Sequence, residues 1–205
     1  MDNQDIKTIF WDFDGVLMNS NAVRDKGFLE VLKDFPKEQV NELMQFHQKN
    51  GGLSRYVKFR YFFDEVRGEE ITKKELKQWA EKFSKIMLQF LIDKSLLIQE
   101  TINFVKQNYQ KYNMHIVSGS DGDELHQICK GVNINHYFKS IEGSPTPKKE
   151  LVGNRLKKEI YNPKQCALIG DSINDYHASA LNDIYFLAYN NESLNKYSNI
   201  KFPLS

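Results

Sequence analysis

The stretch Ile9-Phe10-Trp11-Asp12-Phe13-Asp14-Gly15-Val16-Leu17 constrains this chain more than any other. A short apolar run of this kind reads as a buried strand. Here it ends in two aspartates two residues apart, followed by a glycine. Carboxylates beside a low-dielectric core are costly unless they are paired or hold a metal. In an extended segment residues i and i+2 point to the same side. Asp12 and Asp14 are therefore expected to face one reaction centre from the carboxyl end of a strand, where open α/β sheets bind their ligands.

That strand is expected at 6–13, with others at 114–118 and 166–169 and, more weakly, at 138–142 and 184–188. Helical patterns separate them at 97–110, at 121–130 and at about 147–159, with Thr146 as a candidate cap and Pro147 at the first helical position. This alternation predicts an α/β chain with a parallel sheet covered on both faces. Between Met18 and about Lys94 the alternation stops. Residues 22–33 and 38–49 are amphipathic at helical spacing, and Thr72 with Glu75 forms a capping-box pattern opening a helix to about Ile92. A crossover needs only about a dozen residues, so this long helical run reads as an inserted cap. The tail 190–205 is polar and reads as an edge strand or a loose end.

Other reactive side chains fall at the ends of expected strands. Ser118 with Gly119 and Ser120 offers a hydroxyl and backbone N–H groups for an anion, or else a helix N-cap. Lys148 and Lys149 open the helix after Gly143-Ser144-Pro145-Thr146-Pro147. Asp171 and Asp175, in Gly170-Asp171-Ser172-Ile173-Asn174-Asp175, repeat the pattern of acids at a strand end. Asp175 also suits a capping box with Ser172. So many carboxylates on one edge would raise each other's pKa values unless a cation joins them. An oxygen-only ligand set favours a hard ion such as Mg²⁺. His47, His115, His126, His136 and His177 lack zinc-site spacing, and no dinucleotide or Walker glycine pattern occurs.

Composition sets the outer limits. Formal charge is +1, which gives no reason to expect nucleic-acid or membrane binding. No apolar run reaches membrane-spanning length. The polar, acidic start lacks signal-peptide character, and Cys129 and Cys166 make no disulfide framework. A cytoplasmic location is expected, with a monomer or weak dimer. The Asn191-Glu192-Ser193 sequon is taken as chance.

These motifs together resemble the haloacid dehalogenase superfamily over essentially the whole length. Asp12-Phe13-Asp14-Gly15-Val16 is similar to its first motif, Ser118 to the second, Lys148 to the third, and Gly170-Asp171 with Asp175 to the fourth. Within it the chain is most similar to the phosphoglycolate phosphatase and β-phosphoglucomutase group. The resemblance implies a Rossmann-like core, 1–18 with 95–205, and a helical cap at 19–94. It implies Asp12 as nucleophile, Asp14 as general acid/base, and Ser118, the Gly119 N–H and Lys148 as phosphoryl ligands. Mg²⁺ would be held by Asp12, the Asp14 backbone carbonyl, Asp171 and Asp175. Gly52-Leu53-Ser54-Arg55 is similar to the substrate-specificity loop of β-phosphoglucomutases, and Arg24 occupies a cap-hinge position. Arg24, Ser54 and Arg55 are thus candidate substrate ligands.

Three departures stand out. Asn19 replaces a frequent acid. The third motif reads Pro147-Lys148-Lys149, with Lys148 preferred. The fourth carries Gly170-Asp171, as in phosphatases. The expected function is a Mg²⁺-dependent phosphatase of a small phosphorylated metabolite, a sugar phosphate among the candidates. The alternatives are a sugar phosphomutase, a phospho-accepting receiver domain, and a degenerate binding domain.

Overall fold

The computed structural model describes residues 6–201. Five parallel strands form one sheet: β1 (Thr8–Trp11), β2 (Asn113–Asp121), β3 (Ser140–Ser144), β4 (Cys166–Gly170) and β5 (Tyr185–Ala188). Their spatial order is β3-β2-β1-β4-β5. The chain thus starts in the middle and reverses direction beside β1, which creates a crevice at the carboxyl end of β1.

Strand β1 is buried along its whole length because both sheet faces are covered. Ile9 and Trp11 join a core beneath α5 (Gln99–Asn108) and α6 (Gly122–Gly131). Phe10 faces the opposite core with Leu151, Val152 and Leu156 of α7 (Lys148–Glu159) and Ala178 of α8 (Ile173–Leu181). The alternation that places Asp12 and Asp14 at the crevice therefore rests on packing of the preceding three residues.

The insert is helical, as expected. It contains α1 (Asn21–Val31), α2 (Lys37–Lys49), α3 (Arg55–Arg60) and α4 (Lys73–Leu91), with a π-helical segment Tyr61–Val66 continuing α3. The Thr72–Glu75 capping box opens α4. Aromatic rings hold the insert together: Phe28 packs on Phe59 and Phe83 at centroid distances of 5.4 and 4.4 Å. Phe59, Phe62 and Phe63 are consequently core residues, while Tyr61 stacks on Phe46. The two connections to the sheet run side by side, through Asn19 N–H to Leu96 O (2.7 Å) and Ile98 N–H to Leu17 O (3.0 Å).

Several boundaries differ from expectation. Strand β2 continues to Asp121, whose side chain then caps α6. Helix α7 starts at Lys148 with Pro147 as its N-cap, and Thr146 makes no capping bond. The missing proline N–H makes that cap less demanding. In the tail, Glu192–Tyr197 is a 3₁₀ turn. Asn199 and Ser198 then bond Phe186 and Ala188, so this segment blunts the β5 edge without forming a strand. Residues 202–205 lie outside the described residues.

Candidate active site

Asp12 sits at the floor of a cavity of about 420 Å³ that opens between the sheet end and the helical insert. Asp12 as a whole is 3% exposed. Asp12 Oδ1 accepts the Phe13 N–H at 2.7 Å and lies 2.8 Å from Lys148 Nζ. Lys148 also donates to Asp175. Asp175 in turn closes a capping box with Ser172, accepting its N–H at 3.0 Å and its hydroxyl at 2.7 Å. The capping and the site readings of Asp175 both hold. Lys149, the other lysine considered, is exposed on α7.

One ligand atom each from Asp12, Asp171 and Asp175 lies within 4.8 Å of the others. Three carboxylates face one ammonium, Lys148, which leaves a formal deficit of two positive charges (three minus one). Burial raises the Asp12 carboxyl well above the ordinary range, and Asp175 and Asp171 push it further against the pull of Lys148. Burial and Asp175 also lift Asp171 to about 6. Lys148 is raised despite its burial, because Asp12 and Asp175 flank it. A hard divalent cation matches both the charge deficit and the oxygen-only donors. Asp12 and Asp171 line the cavity, whereas Asp175 lies behind them with both oxygens engaged.

Asp14 lines the same cavity but is held by a different set of partners. Its carboxylate accepts from Ser20, from Ser120 Oγ at 2.5 Å and from Arg24 Nε at 2.9 Å. Burial pushes its pKa up, but Arg24 and the two hydroxyls outweigh burial and hold it below the usual range. It stands as a carboxylate, outside the three-acid group. Any part in metal binding falls to its backbone carbonyl. Gly15 turns the chain away at φ +75°, and a Cβ there would collide with Asp171, so the loop carrying Asp14 needs glycine for both reasons. Ser118 is buried and accepts the Ser120 N–H at 3.1 Å, which leaves its O–H hydrogen for a ligand.

The sequence profile of haloacid dehalogenase-like hydrolases matches residues 9–189. The chain belongs to the haloacid dehalogenase-like hydrolase family. No curated protein matches it in sequence. Among solved structures it is similar to β-phosphoglucomutase from Clostridium difficile (TM-score 0.75, 14% identity, 95% of this chain and 89% of that one). It is also similar to a predicted phosphoglycolate phosphatase from Haemophilus somnus (0.69, 21%, 90% and 85%). A third is a haloacid dehalogenase-like family hydrolase from Streptococcus pneumoniae (0.68, 19%, 96% and 93%). At such identities the likeness is one of fold, and it gives this family member the core-plus-cap architecture.

The cap side of the hydrolase site departs from expectation. Ser54 does not line the cavity; its hydroxyl caps α3 by accepting the Val57 N–H at 3.4 Å. A serine just before a helix fills that role readily. Arg24 and Arg55 do line the cavity, yet both bind one buried acid, Glu124 of α6, each at 2.5 Å. Arg55 also donates to Ser84 at 2.6 Å and lies over Phe83. The two arginines are thus buried ion-pair members, neither surface residues nor open anion forks. Gly119 lies against the Gly52 carbonyl of the cap loop, closing that loop onto β2.

Glu124, Ser20, Asn21 and Lys58 escaped the sequence reading, and Ser120 entered it only beside Ser118. Asn21 donates to Asp171 at 3.1 Å. Only Ser120 carried a usable signal, as the same-face i+2 neighbour of Ser118. Glu124 in the first turn of a helix looks like an ordinary complement to the helix dipole. Among the described residues no helix is long and apolar enough to cross a membrane.

Proposed function

We propose that this family member is a Mg²⁺-dependent phosphatase that hydrolyses a small phosphorylated metabolite through an aspartyl phosphate on Asp12. The observation that carries the reading is Asp12 itself: a cavity-floor carboxylate fixed by Lys148 and grouped with Asp171, with the Ser118 hydroxyl on the same cavity. Asp12 and Asp171 would hold Mg²⁺, with the Asp14 carbonyl contributing and Asp175 behind. Bound there, Mg²⁺ neutralises charge and acts as a Lewis acid toward a phosphoryl oxygen.

The chain's own groups do the rest. Lys148 and Ser118, with the Gly119 N–H, bind phosphoryl oxygens and stabilise charge that builds up at the transition state. Asp12 attacks phosphorus and the ester oxygen leaves. Asp14, once protonated, would give its proton to that oxygen and, left as a carboxylate, would take one from the water that cleaves the acyl phosphate. The structure holds Asp14 as a carboxylate paired to Arg24, the form that accepts water's proton. Residues 19–94 act as a cap that excludes bulk water, and 1–18 with 95–205 as the catalytic core. The site volume suits a small ligand, a sugar phosphate included. We place the protein in the cytoplasm as a monomer or weak dimer.

The test is turnover of a panel of phosphomonoesters with Mg²⁺. Asp12→Asn is expected to abolish steady-state hydrolysis, and full activity in that variant refutes the reading. The mutase alternative draws on the cap loop, of which Gly52, Leu53 and Arg55 line the cavity. Sugar isomerisation dependent on a bisphosphate primer, in place of phosphate release, would establish it.

A further inference from the structure

The segment that follows β5 returns to the loops carrying the clustered acids. Tyr189 N–H still bonds Gly170 O at 2.9 Å, in step with β4. Asn190 then takes a left-handed φ of +55°, a conformation asparagine tolerates better than most residues. After that turn Asn191 joins the cavity lining. Asn191 Nδ2 donates to the backbone oxygen of Asp171 at 2.7 Å, and Asn190 Nδ2 donates to Gly15 O at 3.3 Å. A carbonyl can only accept, so the Asn191 amide must turn its NH₂ toward Asp171. Its Oδ1 is left for Ser193, whose hydroxyl donates to it at 2.7 Å. The Asn191-Glu192-Ser193 sequence thus has a use within the fold: the serine locks the amide that holds Asp171.

A second amide reaches the same acid from the helical insert. Asn21, the first residue of α1, donates Nδ2 to Asp171 Oδ2 at 3.1 Å. Gly15 lies so close to both that a Cβ there would overlap Asp171 Oδ2 and stand 2.9 Å from Asn21 Nδ2. Asp171 is therefore held twice, by its carboxylate from the insert and by its carbonyl from the segment beyond β5. Both holders are neutral. A lysine in either place would cancel charge that a cation needs, as Lys148 does for Asp12 and Asp175. An amide orients the oxygens and leaves the carboxylate its full charge, and such partners of ligating carboxylates set metal affinity.

We propose that Asn21 and Asn191 are positioning residues for the metal ligand Asp171, one clamping its carboxylate and the other its backbone. The start of the insert and the segment beyond β5 then both belong to the cation site, with Asn190 steadying the loop that carries the Asp14 carbonyl. The proposal rests on the Mg²⁺-dependent reading above.

The experiment is calorimetric titration of Mg²⁺ into the full chain without substrate, with Mn²⁺ binding followed by electron paramagnetic resonance as a second measure. Asn21→Ala and Asn191→Ala are each expected to raise the Kd for both ions by about tenfold or more, with the melting temperature in EDTA unchanged. A merely structural role would do the reverse, lowering the melting temperature and leaving the Kd of the folded chain alone. Asn191→Ser replaces Asn191→Ala if the latter does not fold by circular dichroism, and the same loss is expected from its shorter side chain. Where the native chain binds Mg²⁺, a Kd within twofold of native in either variant overturns the proposal and leaves the phosphatase reading standing. A native chain that binds neither ion refutes the Mg²⁺-dependent reading, and the proposal falls with it.

Discussion

Replacing Gly119 by alanine tests how the cap meets the core. A Cβ at this position would come within 2.9 Å of the Gly52 carbonyl carbon and closer still to its oxygen, with the Leu53 carbonyl carbon at 3.4 Å. These are backbone atoms, so no side-chain rotation relieves the clash. Restoring ordinary contact requires the Gly52 loop to retreat by roughly 1 Å. Overpacking of this kind costs about 1–3 kcal/mol. The strand belongs to the rigid sheet and the loop to the insert, so the loop is what moves. That loop forms the cavity wall opposite Ser118 and Ser172, and misplacement by about 1 Å can cost 100-fold in rate. We expect kcat/KM on the best substrate to fall by about 10- to 100-fold, with far-ultraviolet circular dichroism unchanged. Steady-state kinetics beside a thermal melt make the measurement. Activity within twofold of the native chain, at an unchanged melting temperature, would refute the packing of Gly52 on Gly119 in the working enzyme.

Two further perturbations probe the charge network. Glu124→Ala leaves Arg24 and Arg55 buried without their shared partner, so chemical denaturation is expected to show a loss of about 3–5 kcal/mol; a change below 1 kcal/mol would argue that the arginines find water instead. The acid cluster predicts a pH-dependent response to metal. Burial and Asp175 hold Asp171 up to about 6, and Asp12 is raised as well. The folded chain therefore keeps protons that the unfolded chain has released, and its stability falls as pH rises from about 4 through 6. Mg²⁺ binds only the ionised cluster, so its stabilisation in thermal melts is expected to grow across the same range. An equal Mg²⁺ effect at pH 4.5 and pH 7.5 contradicts this.

What the sequence made legible follows from local cost. Asp12, Asp14, Asp171 and Asp175 were visible because acids at strand ends need a reason to be there, and Lys148 because it opens a helix at the same edge. The parallel sheet and the helical insert were legible through their periodicities. Glu124, Ser20 and Lys58 were not, because their roles arise from contacts across the fold: Glu124 meets Arg24 and Arg55 from 100 and 69 residues away. Lys58 sits in the run Arg55-Tyr56-Val57-Lys58-Phe59-Arg60, and its burial arises only across the fold, beside Phe28 of α1. Ser54 shows the reverse error, since a loop motif placed at the substrate serves a helix start instead.

The central claim is that Asp12 becomes covalently phosphorylated. Rapid acid quench of the Mg²⁺-loaded enzyme during turnover, followed by borohydride reduction and peptide mass spectrometry, addresses it directly. The account predicts homoserine at position 12, the reduction product of an acyl phosphate, and none in Asp12→Asn. Phosphate trapped on Ser118, or rapid turnover with position 12 never modified, would contradict it.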